Sequence, residues 1–210
     1  MEATTAPERR YYTEDEWIAL EEELGTRLDY LDGYLYDVRA MAGGTIPHGR
    51  ACANVSGELR SATRAKGKDC FTYNSEVKIH VEKHNRYYYP DASVRCGEEE
   101  PGGKTGSYKN PRVIVEVVSA SSVYRDTVSK FKHYTALKSL RDYVLVYLNE
   151  PIVHVFSRDT HKQIMSVTAY DGLDARVYFP SLDLHVAMAE LYAEVEFPEL
   201  TDDHDDEERD

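Results

Sequence analysis

Glu116 lies inside Val113-Ile114-Val115-Glu116-Val117-Val118, a run whose other members suit a buried central strand. Taking a carboxylate out of water is costly unless a cation, a hydrogen-bond donor or a proton offsets the loss, so something must face Glu116. One Lys or Arg would suffice. A second acid offers another answer. Asp91 follows Pro90 in the strand-like run Tyr87 to Cys96, where Asp is poorly suited to a strand interior and a strand-entry turn is the plain alternative. Two acids on two strands of one sheet, close enough to share an ion, make the oxygen-rich site that Mg²⁺ (or Mn²⁺) takes, with water and a substrate phosphate filling the remaining positions. Lys130 is the third element. Asp126, Lys130 and Tyr134 recur at helical spacing with Leu137 on the same stripe, which sets Lys130 on a face expected to pack inward. An inward ammonium wants a carboxylate or a phosphate; the alternative is an Asp126–Lys130 surface pair worth only about 0.3–0.5 kcal/mol.

The elements that must position these groups follow from periodicity and turn chemistry. Thr13 with Glu16 three residues on is a capping-box pattern that predicts a short acidic helix over 13–23. Asp32-Gly33 between Leu28–Leu31 and Tyr34–Val38 predicts a tight hairpin. Ala51, Val55, Leu59 and Ala62 recur at helical spacing between Pro47 and Lys66, with Gly67 as a stop, and His48 lies one turn before Cys52 on that stripe. Strands are expected over 70–81, 87–95, 113–118 and 143–148, a second helix over 126–138, and further strands near 152–157, 163–170 and 176–179. From residue 47 to 148 the order is helix, strand, strand, strand, helix, strand. That is an α+β (α/β) arrangement with a central mixed sheet flanked by helices, an N-terminal hairpin and extra C-terminal strands.

The chain's 210 residues favour one domain, expected over 11–197 between a flexible stretch at 1–10 and an acidic disordered tail at 198–210. Of the net charge of −13, −9 falls in residues 194–210, so the body is only mildly acidic and a generally basic nucleic-acid coat is excluded. The longest apolar run, Tyr143 to Leu148, is too short for a secretion signal or a membrane span, and a cytoplasmic protein without a membrane partner is expected. The 3 cysteines, an odd number with no Cys-x-x-Cys pair, read as reduced structural thiols. His80 and His84 are spaced like a zinc pair but have no evident third ligand, and no metal is assigned there. Tyr87-Tyr88-Tyr89 alternates between faces and makes no single stacking platform.

The segments from Leu28 to Leu59, then YYYPDASVRC, NPRVIVEVVSASS, RDTVSKFKHY and SLRDYVLVY, resemble in order the restriction-endonuclease-like Uma-two family, within the PD-(D/E)XK nuclease superfamily. The resemblance covers residues 11–195 and implies a restriction-endonuclease-like core and metal-dependent phosphodiester hydrolysis, as a DNA endonuclease. On matching positions it implies that Asp91 and Glu116 hold one or two Mg²⁺ ions with the Val117 carbonyl as a further ligand, and that Lys130 orients the attacking water or stabilises the transition state. The superfamily's usual lysine position, two residues after the acid, is Val118 here, and Lys130 on the following helix fits instead. Where the family has Glu-Tyr-x-Asp-Gly-Glu this chain has Asp29-Tyr30-Leu31-Asp32-Gly33-Tyr34, so the first acid, a metal-binding position, is shortened to Asp29 and the last is replaced by Tyr34. Ser122-Val123 stands for the usual Ser-Thr before the second helix.

His48 matches a family histidine and would touch substrate or support the metal; a satisfied core histidine is the alternative. Arg50, Arg60, Arg64 and Lys66 form one basic group and Arg125, Lys132, Lys138 and Arg141 another, suited to phosphate contacts or simply to solvated helix faces. A symmetric dimer would suit cleavage of both strands, though no residue specifies one. The departures at Asp29 and Tyr34 motivate a second reading, a nuclease-fold protein without catalysis that acts as a nucleic-acid or protein binding module.

Overall fold

The structure, a computed structural model, describes residues 10–37, 45–67, 69–104, 106–119, 125–159 and 165–198. Most of the proposed flexible start and of the acidic tail, together with Ser122 and Val123, lies outside these residues. In chain order the elements are α1 (Glu14–Leu24), β1 (Leu28–Leu31), β2 (Tyr34–Asp37), α2 (Ile46–Ala65), β3 (Cys70–Asn74), β4 (Lys78–Val81), β5 (Arg86–Tyr88), β6 (Ala92–Cys96), β7 (Ser107–Tyr108) and β8 (Val113–Val118). A π turn (Arg125–Lys130) then runs into α3 (Phe131–Tyr134), followed by β9 (Asp142–Tyr147), β10 (Ile152–Arg158), β11 (Met165–Asp171), β12 (Arg176–Phe179), β13 (Leu184–Ala187) and α4 (Met188–Leu191).

The larger sheet has the order β11-β10-β9-β8-β6-β3, in which only the β8–β9 pair is parallel, so the sheet is mixed as expected. All six residues of β8 are buried, because layers cover both faces. Val113, Val115 and Val117 pack with Ala51, Val55 and Leu59 of α2 and with the β12–β13 hairpin. Ile114 and Val118 pack on the opposite face with Ile79, Tyr88, Tyr134 and Leu137. Side chains alternate along a strand, so Glu116 belongs to this second face, toward α3. Burying each of these aliphatic side chains stabilises the fold by roughly 1.5–3 kcal/mol, which is what makes room for one costly carboxylate among them.

The second sheet, ordered β2-β1-β5-β4-β7, carries the N-terminal hairpin. Leu31 pairs with Tyr34 across Asp32 and Gly33, whose φ values of 51° and 90° are those of a two-residue turn that Asn or Asp followed by Gly favours. The capping box closes on α1: Thr13 Oγ1 accepts from Glu16 N at 3.2 Å while Glu16 Oε2 accepts from Thr13 N at 2.8 Å. Trp17 of α1 is fully buried against Tyr30 and Tyr87, and its indole N–H donates to the Leu28 carbonyl at 2.9 Å.

Four expectations are corrected. Residues 70–81 are two strands in different sheets, because the Asn74 carbonyl and side chain accept the Val77 and Glu76 amides and turn the chain. The 87–95 run is likewise broken at Tyr89–Asp91, where Pro90 has no amide to give a ladder. The helix over 126–138 begins as a π turn and its α-helical part ends at Tyr134. Cys70 and Cys96 are not reduced thiols: they lie opposite each other in the β3–β6 ladder, Cα atoms 4.0 Å apart, and form a disulfide, leaving Cys52 free. An odd cysteine count conceals such a pair, because the strand register decides it.

Candidate active site

The site forms where β6 parts from β8. Their antiparallel ladder runs from Val94↔Val113 to Ala92↔Val115 and goes no further, while β8 continues to Val118 beside β9. Extending that register by one residue sets Asp91 opposite Glu116. Pro90 precludes another rung, and the Asp91 side chain takes the place of one: its Oδ2 accepts the Val117 amide at 2.7 Å.

Glu116 is 2% exposed and closed in from α3. Lys130 Nζ donates to Glu116 Oε2 at 2.9 Å, and the Tyr134 hydroxyl donates to Oε1 at 3.2 Å. Lys130 and Tyr134 are four residues apart, one helical turn, so the chain presents an ammonium and a phenol together to one carboxylate. Lys130 is also 2% exposed, so it packs on the inward face; the side chain of Asp126 lies outside the described residues. Burial and the adjacent Glu116 charge push the Tyr134 phenol far up, so that it remains a donor.

Asp91 meets α2 on its other side. Thr45 caps this helix by accepting from His48 N at 3.3 Å, and Pro47 fixes its first turn. The His48 ring comes within reach of two partners, Nε2 at 3.6 Å from Asp91 Oδ1 and Nδ1 at 3.5 Å from Cys52 Sγ. Burial works against the Asp91 charge, but His48, Lys130 and the Val117 amide outweigh it and hold the carboxyl below the usual range. Burial, reinforced by the Asp91 charge, pushes the Cys52 thiol well up.

The remaining residues are placed as follows. Asp29 of β1 is 1% exposed and its Oδ1 accepts the Tyr89 amide at 3.2 Å, two residues before Asp91; its charge also bears on Tyr88 and Tyr134. Tyr34 is 47% exposed on β2, set edge-on to Tyr11, so the second departure falls on the outer hairpin. Arg50 turns to the C-terminal segment, donating to the Glu194 carbonyl at 2.7 Å with Glu196 at 3.8 Å. Lys66 of the same basic group pairs with Asp183 at 2.8 Å. Lys132 is exposed on α3. The side chain of Arg125 lies outside the described residues. His80 stacks on Tyr87 and His84 meets His133 edge-on, an aromatic use of both rings. Tyr87, Tyr88 and Tyr89 are all buried, the first against Trp17 and the second against Tyr134.

Residues whose importance the sequence reading missed are Tyr134, as a donor to Glu116, and Cys52, as a neighbour of His48. Both stood on stripes already identified, at one-turn spacing from Lys130 and His48. The donor set fits a divalent cation. Asp91 is held toward its charged form with a side chain 16% exposed, and Glu116 adds two carboxylate oxygens, which are approached by Lys130 and Tyr134. Among the described residues His48, Cys52 and Asp91 offer ligand atoms that all lie within 4.8 Å of one another.

A mixed sheet with helical layers and an acidic and basic constellation at the end of its central strand define an α+β protein of the restriction-endonuclease-like kind. The chain belongs to the Uma2 family, described as "Putative restriction endonuclease", whose profile matches residues 14–187. It is 28% identical over 185 residues to the uncharacterized protein slr1290 of Synechocystis sp. (strain ATCC 27184 / PCC 6803 / Kazusa), covering 87% of this chain and 92% of that one. A second uncharacterized protein of the same strain, sll1609, is 27% identical over 137 residues, 64% of this chain and 73% of its own. A crystal structure of "a putative nuclease belonging to DUF820" from Anabaena variabilis ATCC 29413 superposes with a TM-score of 0.64 at 18% identity, covering 85% of this chain and 96% of that chain. Family membership supports a nuclease function in general terms, and the fold agrees. No helix among the described residues is long and apolar enough to cross a membrane.

Proposed function

We propose that this chain is a metal-dependent phosphodiester hydrolase that cuts DNA internally. The observation that carries this reading is the buried Lys130–Glu116 pair at 2.9 Å, set opposite Asp91 at the end of the β6–β8 ladder. A buried ion pair is weak support for stability, so its retention beside a second carboxylate favours a chemical use.

Asp91 and Glu116, with the Val117 carbonyl, would hold Mg²⁺ or Mn²⁺. When bound there the ion supplies Lewis acidity toward the scissile phosphate and an attacking water. Lys130 orients that water or neutralises charge on the phosphoryl oxygens as it develops, because its ammonium is already dehydrated and fixed. Tyr134 holds Glu116 from the far side and keeps its carboxylate aimed. His48 positions Asp91, and Asp29 fixes the Tyr89 amide that leads into it. Lys132 and Arg125 supply sequence-independent phosphate contacts. Arg50, engaged by the C-terminal segment, would contribute to that grip only on leaving Glu194.

Plasmid nicking by the purified chain in Mg²⁺ or Mn²⁺ tests this. Asp91→Asn and Glu116→Gln are expected to abolish nicking, and cleavage that survives both changes overturns the assignment. A metal titration by calorimetry separates a working nuclease from an inert module, which need not bind the ion through Asp91 and Glu116.

A further inference from the structure

The carboxylate of Asp91 has two neighbourhoods. Toward β8 its Oδ2 accepts the Val117 amide; toward α2 it faces a nitrogen and a sulfur. His48 Nε2 is 3.6 Å from Asp91 Oδ1 and 3.9 Å from Cys52 Sγ. A tetrahedral ion with bonds of about 2.0–2.2 Å to N and O and about 2.3 Å to S separates its ligands by roughly 3.4 Å for N and O and roughly 3.6 Å for N and S. An octahedral Mg²⁺, with bonds of about 2.0–2.1 Å, holds adjacent ligands only about 3.0 Å apart. Both His48 spacings are a few tenths of an ångström longer than the tetrahedral values, and the third pair, Asp91 and Cys52, lies within 4.8 Å.

Backbone geometry fixes this tripod. His48 and Cys52 are one turn apart on α2, whose start is set by Thr45 and Pro47. Asp91 is held by the Val117 amide on the other oxygen, which leaves Oδ1 turned to His48. None of the three is fully buried, so an ion can reach them.

We propose that His48, Cys52 and Asp91 form a nitrogen-sulfur-oxygen site for a thiophilic divalent transition metal of the Zn²⁺ and Co²⁺ class, with one tetrahedral vertex left to water or another ligand. Imidazole and thiolate select such ions against Mg²⁺, which prefers oxygen throughout. On binding, the thiol of Cys52 becomes a thiolate ligand and its proton passes to solvent. The site shares Asp91 with the proposed hydrolytic centre but does not depend on hydrolysis.

Co²⁺ titration of the full chain, without reductant, reads the site directly. Cys70 and Cys96 are joined, so a thiolate-to-cobalt charge-transfer band in the near ultraviolet reports Cys52. The expected result is that band in the wild type, with intensity in the visible region diagnostic of four-coordinate Co²⁺, and its displacement by Zn²⁺. Cys52→Ser should abolish the band and weaken Zn²⁺ binding roughly a hundredfold or more, since even groups one shell out are worth about 10–100-fold. Co²⁺ binding without the band, no Co²⁺ binding, or unchanged Zn²⁺ affinity in folded Cys52→Ser would each overturn the proposal. The wild-type spectrum decides the matter even if that variant fails to fold. Loss of nicking with the band intact would sink the nuclease reading alone, and nicking without the band would sink only the metal tripod.

Discussion

Two lysine–glutamate pairs, both 2.9 Å long, one buried and one largely so, lie against the two larger sheets. In the N-terminal layer Lys78 meets Glu21, and the ammonium is roofed by aromatic faces, 4.5 Å from the Trp17 ring and 5.7 Å from that of Tyr89. Glu21 in turn accepts the Tyr89 hydroxyl at 2.8 and 2.9 Å and the Leu28 amide at 2.8 Å, so the pair ties α1, β1 and β4 together. In the larger sheet Lys130 meets Glu116, but the neighbouring groups are further carboxylates, Asp91 and, through its effect on Tyr134, Asp29. Among the described residues, the first cluster sets Glu21 against Lys78 beneath aromatic rings, and the second sets Glu116 and Asp91 about Lys130, with Asp29 bearing on both through Tyr89 and Tyr134. Balanced charge in a dry place is a staple, whereas an excess of one sign calls for a visiting charge of the other.

Removing one partner tests this contrast most strongly. Lys130→Met should cost about 3–5 kcal/mol because it strands a buried carboxylate, and Lys78→Met less, because Glu21 keeps its Tyr89 and Leu28 donors; urea unfolding would show both losses. Nicking per folded molecule should separate them. Lys130→Met is expected to lose roughly 10²–10³-fold, and Lys78→Met nothing beyond its unfolded fraction. Equal catalytic losses would erase the distinction. Converting the staple whole, Glu21→Leu with Lys78→Met, should recover most of the stability, since apolar replacement of both partners is often neutral or better.

The phenols sharpen the same contrast on a smaller scale. Tyr89→Phe removes two close contacts to Glu21 and is expected to cost about 1.5–3 kcal/mol by the usual worth of bonds to charged groups. Tyr134→Phe removes one longer contact to Glu116 and should cost about 1–1.5 kcal/mol, while lowering nicking more than Tyr89→Phe does. Matched thermal melts and nicking rates on the two variants check both halves, and a larger catalytic loss in Tyr89→Phe would reverse the assignment of roles.

Legibility in the sequence followed the same division. Strand β8 was readable to its end residues because six apolar-dominated positions leave one acid conspicuous, and Lys130 because its stripe repeats every turn. The capping box and the Asp32-Gly33 hairpin were readable because they are local chemistry. The Lys78–Glu21 staple was not, since it joins residues far apart in sequence and nothing in Val77-Lys78-Ile79 names a partner. The Cys70–Cys96 bond and the approach of His48 to Asp91 depend on strand register and on where α2 crosses the sheet. The π turn that starts the second helical segment leaves no periodic trace of its own in so short a run.

Proton linkage divides the site region once more, between a ring kept neutral and a carboxyl kept charged. Burial, then the charges of Arg86, His84 and Lys132, push His133 down to about 4. The unfolded chain takes up that proton at about pH 6.5, so between those values only the unfolded state binds it. Stability from His133 is therefore full above about pH 6.5 and declines as pH falls toward about 4. Asp91 acts lower: its folded pKa lies below the unfolded value of about 3.9, so its contribution persists above that pH and is lost as pH falls through the folded value. The His133 window lies above the Asp91 window, and the two overlap at about pH 4–5, where both groups titrate. Urea midpoints measured across pH should show the upper slope flattened in His133→Gln with the lower slope intact, and the reverse in Asp91→Asn. An unchanged upper slope in His133→Gln would mean that the cations of α3 and β5 do not press on that ring, and the division between the two groups would have to be redrawn.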